Sequence, residues 1–174
     1  DNGLKILLAG KTLQGPLIHN LLSRIENRDF IIGDMQGTVS EKDVRAQYQE
    51  TIANDILIAK PMKIVIDAAN GTGGEIAEAL FKQLNCEVIS LYCDVDGNFP
   101  NHSPDPSVAE NLNTLISNVI RHQADIGIAF DGDADRMVAV TSMGQIIDGD
   151  KLLMIFAEDI VSRNPAATVI YDVK

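Results

Sequence analysis

The sequence predicts an α/β fold, a mixed, mostly parallel sheet with helices on both faces. Three short apolar runs carry that prediction: 62–67 (MKIVID), 87–92 (EVISLY) and 125–130 (DIGIAF). The segments between them are long enough for a crossover and hold apolar residues at helical spacing, which is how parallel strands must be joined. A further strand pair, 137–141 (MVAVT) and 145–147 (QII), flanks a turn at Met143-Gly144 and makes the sheet mixed. The crossovers should be right-handed.

Taken in order, residues 4–9 (LKILLA) read as a short buried strand. Gly15-Pro16 then opens a helix with Leu17, Ile18, Leu21, Leu22 and Ile25 on one face. After a polar loop at 33–40, Ser40 and Asp43 resemble a capping box, and Val44, Tyr48, Ile52 and Ile56 continue at four-residue spacing. That helix should run to about Lys60, before Pro61. The crossover after 62–67 starts from a glycine-rich turn and carries Ile76, Leu80, Phe81 and Leu84. A long loop (DVDGNFPNHSPDP) follows the second strand, and Asp105 with Pro106 reads as the start of the next helix, bearing Val108, Leu112, Leu115, Ile116 and Val119. A helix with Leu152, Leu153, Phe156 and Ile160, then a strand at 168–173, begin a further α/β unit.

Composition narrows the function. Fourteen Lys+Arg against 25 Asp+Glu give a net charge of -11, which argues against a nucleic-acid binder and suits divalent cations. No apolar run reaches the 18–20 or so residues of a membrane span, and residues 1–10 do not form a signal peptide. Cys86 and Cys93 have neither metal-type nor disulfide-framework spacing and read as free thiols of a cytoplasmic protein. The chain begins at Asp1 without Met and stops at Lys174 behind a strand-like run, so both ends read as cut.

In open α/β sheets, ligands collect beyond the carboxyl ends of the parallel strands. Those ends carry Asp67 with its Asn-Gly-Thr-Gly-Gly turn, the 93–106 loop, and Asp131-Gly-Asp-Ala-Asp-Arg136. The last is the strongest signal. Asp131, Asp133 and Asp135 would repel one another if their oxygens converged, and a bound Mg²⁺, which prefers oxygen ligands, removes that cost. An EF-hand would need Gly and Glu where Arg136 and Ser142 stand. A phosphatase with Asp131 as nucleophile and Asp133 as acid stays open, although its D-x-D-x-[TV] pattern conflicts with Asp135. Arg136 could hold a phosphate in its fork or pair with one of these carboxylates. The glycines at 71, 73 and 74 form neither a dinucleotide fingerprint, since Ile76 occupies the third glycine position, nor a P-loop. They read as a tight strand-to-helix turn. His102 reads as a hydrogen-bonding loop residue, and His19 and His122 as solvent-facing helix residues.

FDGDADR, preceded by LYCDVDGNFPNHSPDP and followed by DGDKLLMIFAEDIVSRNP and VIYDVK, closely resembles the bacterial phosphomannomutase/phosphoglucomutase family of the alpha-D-phosphohexomutases. IVIDAANGTGG and NGLKILLAG fit the same family, so the resemblance spans nearly the whole chain. It implies a four-domain enzyme that interconverts hexose 1- and 6-phosphates through a phosphoserine and a bisphosphate intermediate. It also implies Mg²⁺ as cofactor and a hexose 1,6-bisphosphate as activator. By the resemblance, Asp131, Asp133 and Asp135 are metal ligands, Arg136 is an active-site arginine, and Lys5 takes part in proton transfer. Lys151, where close relatives carry Arg, and Lys174 match basic positions that contact the hexose phosphate.

The family's Ser-His-Asn-Pro nucleophile loop would precede Asp1, and its sugar-recognition loop and final domain would follow Lys174. The expected division is 1–43 as the end of domain 1, 44–145 as domain 2, and 146–174 as the start of domain 3. On that mapping the parent is a mutase, while the chain by itself is inactive and self-associates through the bared strands at 4–9 and 168–173. A non-enzymatic metal-binding module is the third alternative. No nucleic-acid or membrane partner is expected.

Overall fold

A computed structural model describes residues 4–33 and 37–171. They fall into two compact units, divided between Asp43 and Val44.

In the first unit, the expected buried strand at 4–9 is replaced by a small antiparallel hairpin, β1 (Leu7–Leu8) with β2 (Lys11–Thr12). Ala9 and Gly10 both take positive φ and turn the chain back after two residues, so Leu7 and Leu8 remain exposed. Helix α1 (Pro16–Glu26) begins at the proline as expected, but Leu17, Ile18, Leu22 and Ile25 are exposed.

The second unit opens with α2 (Arg45–Asp55). Val44 is its N-cap and makes no side-chain cap bond, so the helix does not start at Ser40 as the expected box would have it. A capping box draws on the longer Glu or Gln at its third position. The helix also ends five residues early. Ile56 is extended, and Ile58 and Met62 pack onto the sheet core instead of continuing the helix.

The sheet has five strands: β3 (Lys63–Asp67), β4 (Glu87–Leu91), β5 (Ile126–Phe130), β6 (Met137–Thr141) and β7 (Ile146–Ile147). Their order is β4-β3-β5-β6-β7, parallel across β4-β3-β5 and antiparallel across β5-β6-β7. The sheet is therefore mixed, with its three parallel strands next to one another. Alternation along β3 sends Ile64 and Ile66 to one face and Val65 to the other. The first face is covered by α3 (Gly74–Gln83) through Ala77 and half-buried Phe81. The second is covered by α4 (Asn113–His122) through Leu115 and Val119. Gly127 makes that second packing close, because a Cβ there would lie 2.6 Å from Val119.

The helix expected to begin at Asp105-Pro106 starts later. A single 3-10 turn, Ala109–Leu112, precedes α4. Helix α5 (Gly149–Arg163) matches expectation, but residues 168–171 form no strand, and 172–174 lie outside the described residues. Among the described residues, no helix is long and apolar enough to cross a membrane. Cys86 and Cys93 are free thiols.

Candidate functional site

Because β3, β4 and β5 run parallel, the loops after Asp67, Leu91 and Phe130 emerge along one edge of the sheet. Backbone hydrogen bonds knit them together. The Asn70 N–H donates to Tyr92 O at 2.7 Å, its side-chain amide donates to Asp94 O at 2.8 Å, and its carbonyl accepts from the Asp96 N–H at 3.0 Å. The Thr72 N–H reaches Gly132 O at 3.0 Å, joining the first loop to the acidic one. The glycine-rich segment is thus the strand-to-helix turn the sequence suggested. Its glycines allow close approach: a Cβ on Gly71 would stand 2.7 Å from Gly132 O, and one on Gly74 would stand 2.5 Å from Cys93 O.

The acidic segment is the hairpin loop between antiparallel β5 and β6, with Phe130 paired to Met137. The Asp131 N–H donates to Arg136 O, the Ala134 N–H donates to Asp131 O, and Ala134 takes φ +57°. This left-handed residue reverses the chain, bringing one oxygen each from Asp131, Asp133 and Asp135 within 4.8 Å of one another. Gly132 does not supply the reversal, since positive φ falls on Ala134.

Asp131 is buried, whereas Asp133 and Asp135 are exposed. Burial pushes the Asp131 carboxyl up, but Arg136 outweighs it and holds the carboxyl below its ordinary range. The Arg136 backbone N–H donates to Asp131 Oδ1 at 3.0 Å, and Arg136 Nε donates to Oδ2 at 2.7 Å. Asp135 is pushed up, first by the charge of Asp133, then by desolvation and Asp131. This repulsion between carboxylates is what a divalent cation relieves. Oxygens on one Mg²⁺ lie at most about 4.2 Å apart, twice a bond of about 2.1 Å. Small movements of the two exposed side chains close the remaining gap, so the three aspartates fit the ion. Among the described residues, they are the only cluster of three or more His, Cys, Asp or Glu able to hold a metal.

Two neighbours were not singled out for the site from the sequence. His102 Nε2 lies 3.1 Å from buried Asp67 Oδ1, and the ring stands edge-on to Tyr92. Asp105 accepts from the Ser107 N–H and hydroxyl, as a turn residue does, and also from Arg136 Nη1 at 3.3 Å. The local signal was present in Asp105-Pro106-Ser107, but its reach to Arg136 spans 31 residues and needs the fold. His102 is, as expected, a hydrogen-bonding loop residue. His19 is exposed; His122 is half-buried rather than solvent-facing, because its helix packs on the sheet.

Lys5 and Lys151 fall in different units. Lys5 is exposed in the first unit, just before β1. Lys151 is exposed on α5, its ammonium 3.1 Å from Asp148 Oδ2. Lys174 lies outside the described residues. Arg136 lines a cavity of about 330 Å³ with Pro106, Ser107, Met137, Val138 and Gly149.

An α/β/α domain with an acidic loop and an arginine at its ligand-collecting edge belongs to a class suited to holding a cation beside a phosphate. Residues 46–144 match phosphoglucomutase/phosphomannomutase, alpha/beta/alpha domain II, and the chain belongs to that family. It is 53% identical over 173 residues to phosphomannomutase/phosphoglucomutase of Pseudomonas aeruginosa, covering 99% of this chain and 37% of that protein. It is 51% identical to phosphoglucomutase of Neisseria meningitidis, covering 99% of this chain and 38% of that protein. The structure superposes with a TM-score of 0.83 on a phosphoglucomutase/phosphomannomutase family protein from Burkholderia thailandensis, at 47% identity. That match covers 94% of this chain and 35% of the other. The chain therefore spans little more than a third of these relatives' length.

Proposed function

We propose that the whole protein is a phosphohexomutase that interconverts the 1- and 6-phosphates of mannose or glucose through a phosphoserine and a hexose bisphosphate. The observation that carries this reading is the convergence of Asp131, Asp133 and Asp135 beside Arg136 in a chain of this family. The three aspartates would hold Mg²⁺, which when bound neutralises charge on a transferring phosphoryl group. Asp131 is the anchored ligand, because the Arg136 backbone N–H holds its Oδ1 in place. Asp133 and Asp135 are exposed and free to adjust.

Arg136 serves substrate. Its Nε and Nη1 engage carboxylates, and the half-exposed fork leaves further N–H groups for a phosphate oxygen or the reacting hydroxyl oxygen. Lys5 takes the proton-transfer role, and Lys151 and Lys174 contact the substrate phosphate or sugar. For Lys151, that contact replaces its ion pair with Asp148. The phosphoserine belongs to a Ser-His-Asn-Pro motif that does not occur in these 174 residues, so this polypeptide alone is expected to be inactive. Its self-association would use the segments at 4–9 and 168–173, where Leu7, Leu8, Ile170 and Tyr171 are exposed, although 168–171 form no strand. The free thiols accord with a cytoplasmic location.

A phosphatase using Asp131 as nucleophile is disfavoured, because Asp135 stands where its D-x-D-x-[TV] pattern has Thr or Val. A coupled assay on the whole protein separates the readings. It uses mannose 1-phosphate and glucose 1-phosphate, Mg²⁺ and a trace of hexose 1,6-bisphosphate. Conversion to 6-phosphates that is lost in Asp133→Ala supports the mutase. Release of inorganic phosphate without isomerisation would establish the phosphatase, and no turnover would leave a metal-binding module.

A further inference from the structure

Arg136 is gripped by two carboxylates of different kinds. Asp131, which accepts from Nε at 2.7 Å, belongs to the acidic loop; Asp105, which accepts from Nη1 at 3.3 Å, does not. Nε also stands 3.8 Å from Asp135 Oδ1. A guanidinium held only by the loop's own carboxylates competes with a second positive charge for them, and a carboxylate outside the loop draws part of it away.

We infer that Asp105 is a positioning residue, a second seat for Arg136 that keeps its fork over the acidic loop while leaving Asp131 available to a cation. This rests on the reading of Asp131, Asp133 and Asp135 as cation ligands.

Asp105 is itself firmly placed. Its Oδ1 takes the Ser107 N–H at 3.1 Å and hydroxyl at 2.7 Å, and Asn111 Nδ2 donates to its backbone carbonyl at 2.8 Å. Three and four residues upstream, His102 and Asn101 fasten the same loop to the end of β3 through Asp67 and Asn70. Pro104 and Phe99 stand beside the acidic loop, within 3.6 and 3.7 Å of where a Gly132 Cβ would lie. The seat is therefore built by residues of the first and second loops and offered to the third. A carboxylate at this position that served only as a turn residue would have no need to face the guanidinium.

The test is Mn²⁺ binding, followed by electron paramagnetic resonance, on the intact protein and on Asp105→Asn, Arg136→Met and the double variant. Asp105→Asn keeps an oxygen for the Ser107 N–H, so the turn survives while the charge is lost. With Arg136 present, Asp105→Asn is expected to weaken Mn²⁺ binding about tenfold, the low end of the loss when a group that orients ligands is removed. In the Arg136→Met background the same change should alter binding less than about twofold, and Asp105→Glu should recover part of the loss. Without any metal, the Arg136 Nε–H resonance should move in Asp105→Asn. Equal losses in both backgrounds would reduce Asp105 to a distant negative charge and overturn the inference, as would unchanged Mn²⁺ affinity or an unmoved resonance. Wild-type protein that bound no Mn²⁺ would overturn the cation reading separately, and with it the service Asp105 performs. The resonance would still show whether the seat exists.

Discussion

His102 Nε2 lies 3.1 and 3.2 Å from the two carboxylate oxygens of Asp67, a side chain 1% exposed at the carboxyl end of β3. The Ala69 N–H, at 2.9 Å from Oδ1, is the other donor. A buried carboxylate is tolerated only while such partners replace water. His102 therefore carries a loop and satisfies the core group beneath it. His102→Ala should destabilise the second unit by about 2–3 kcal/mol, the cost of leaving a buried charged group short of a partner. Urea unfolding followed by circular dichroism measures it, and a loss below about 0.5 kcal/mol, the level of an ordinary surface change, would contradict the pairing.

The same carboxyl gives stability a pH signature. Burial pushes Asp67 above its ordinary value of 3.8, against the opposing pull of the Ala69 N–H and His102. Between 3.8 and the raised value, the folded protein holds a proton that the unfolded chain has released. Stability from this group consequently falls as pH rises through that window. Asp67→Asn has no proton to release, so its unfolding free energy should fall less, or rise more, over the same range. Parallel slopes for the two proteins, measured by urea unfolding at a series of pH values, would show that Asp67 titrates normally.

Legibility in the sequence followed the range of the interaction that decided each feature. The runs around Ile64–Ile66, Val88–Ile89 and Gly127–Ala129 place their strands unaided, because packing against a core cluster on each face, partial at Val88 and Ile89, demands apolar continuity. Asp131, Asp133 and Asp135 were legible because their convergence is local, closed within one six-residue hairpin loop. Asp105 was half legible: its turn chemistry with Ser107 is local, but its bond to Arg136 depends on parallel strands bringing two loops to one edge. The Asp67–His102 pair spans 35 residues and left no periodic trace. The errors at Ser40 and at the end of α2 have another origin. Four-residue spacing through Ile52 and Ile56 reads as helix, yet Ile58 and Met62 gain more by packing extended against the sheet.

Asp133 tests the cation loop without touching the core. Its charge is the first cause of the raised Asp135 carboxyl, so Asp133→Asn should bring Asp135 back toward 3.8. In metal-free solution the variant should be at least as stable as the parent, because a repulsion has been removed. Mg²⁺ should raise the melting temperature of the parent and have little effect on the variant, whose cation affinity should fall by about tenfold or more. Carboxyl carbon NMR follows Asp135, and thermal melts with and without Mg²⁺ follow the rest. Equal Mg²⁺ stabilisation of both proteins would remove Asp133 from the ligand set.

Gly71 tests whether the first and third loops act as one body. A methyl group there would meet Gly132 O at 2.7 Å and Ala68 O at 3.0 Å, both backbone atoms that no side-chain rotation can clear. Relief requires the two loops to part, which strains the Thr72 N–H bond to Gly132 O. Gly71→Ala should therefore cost about 1–3 kcal/mol, as overpacking does. It should also weaken Mg²⁺ binding, although the residue bears no ligand atom. Gly97→Ala is the control, since a Cβ at Gly97 would meet nothing within 4 Å. Equal behaviour of the two variants in urea unfolding and Mg²⁺ titration would mean that the acidic loop holds its shape independently of the glycine-rich turn.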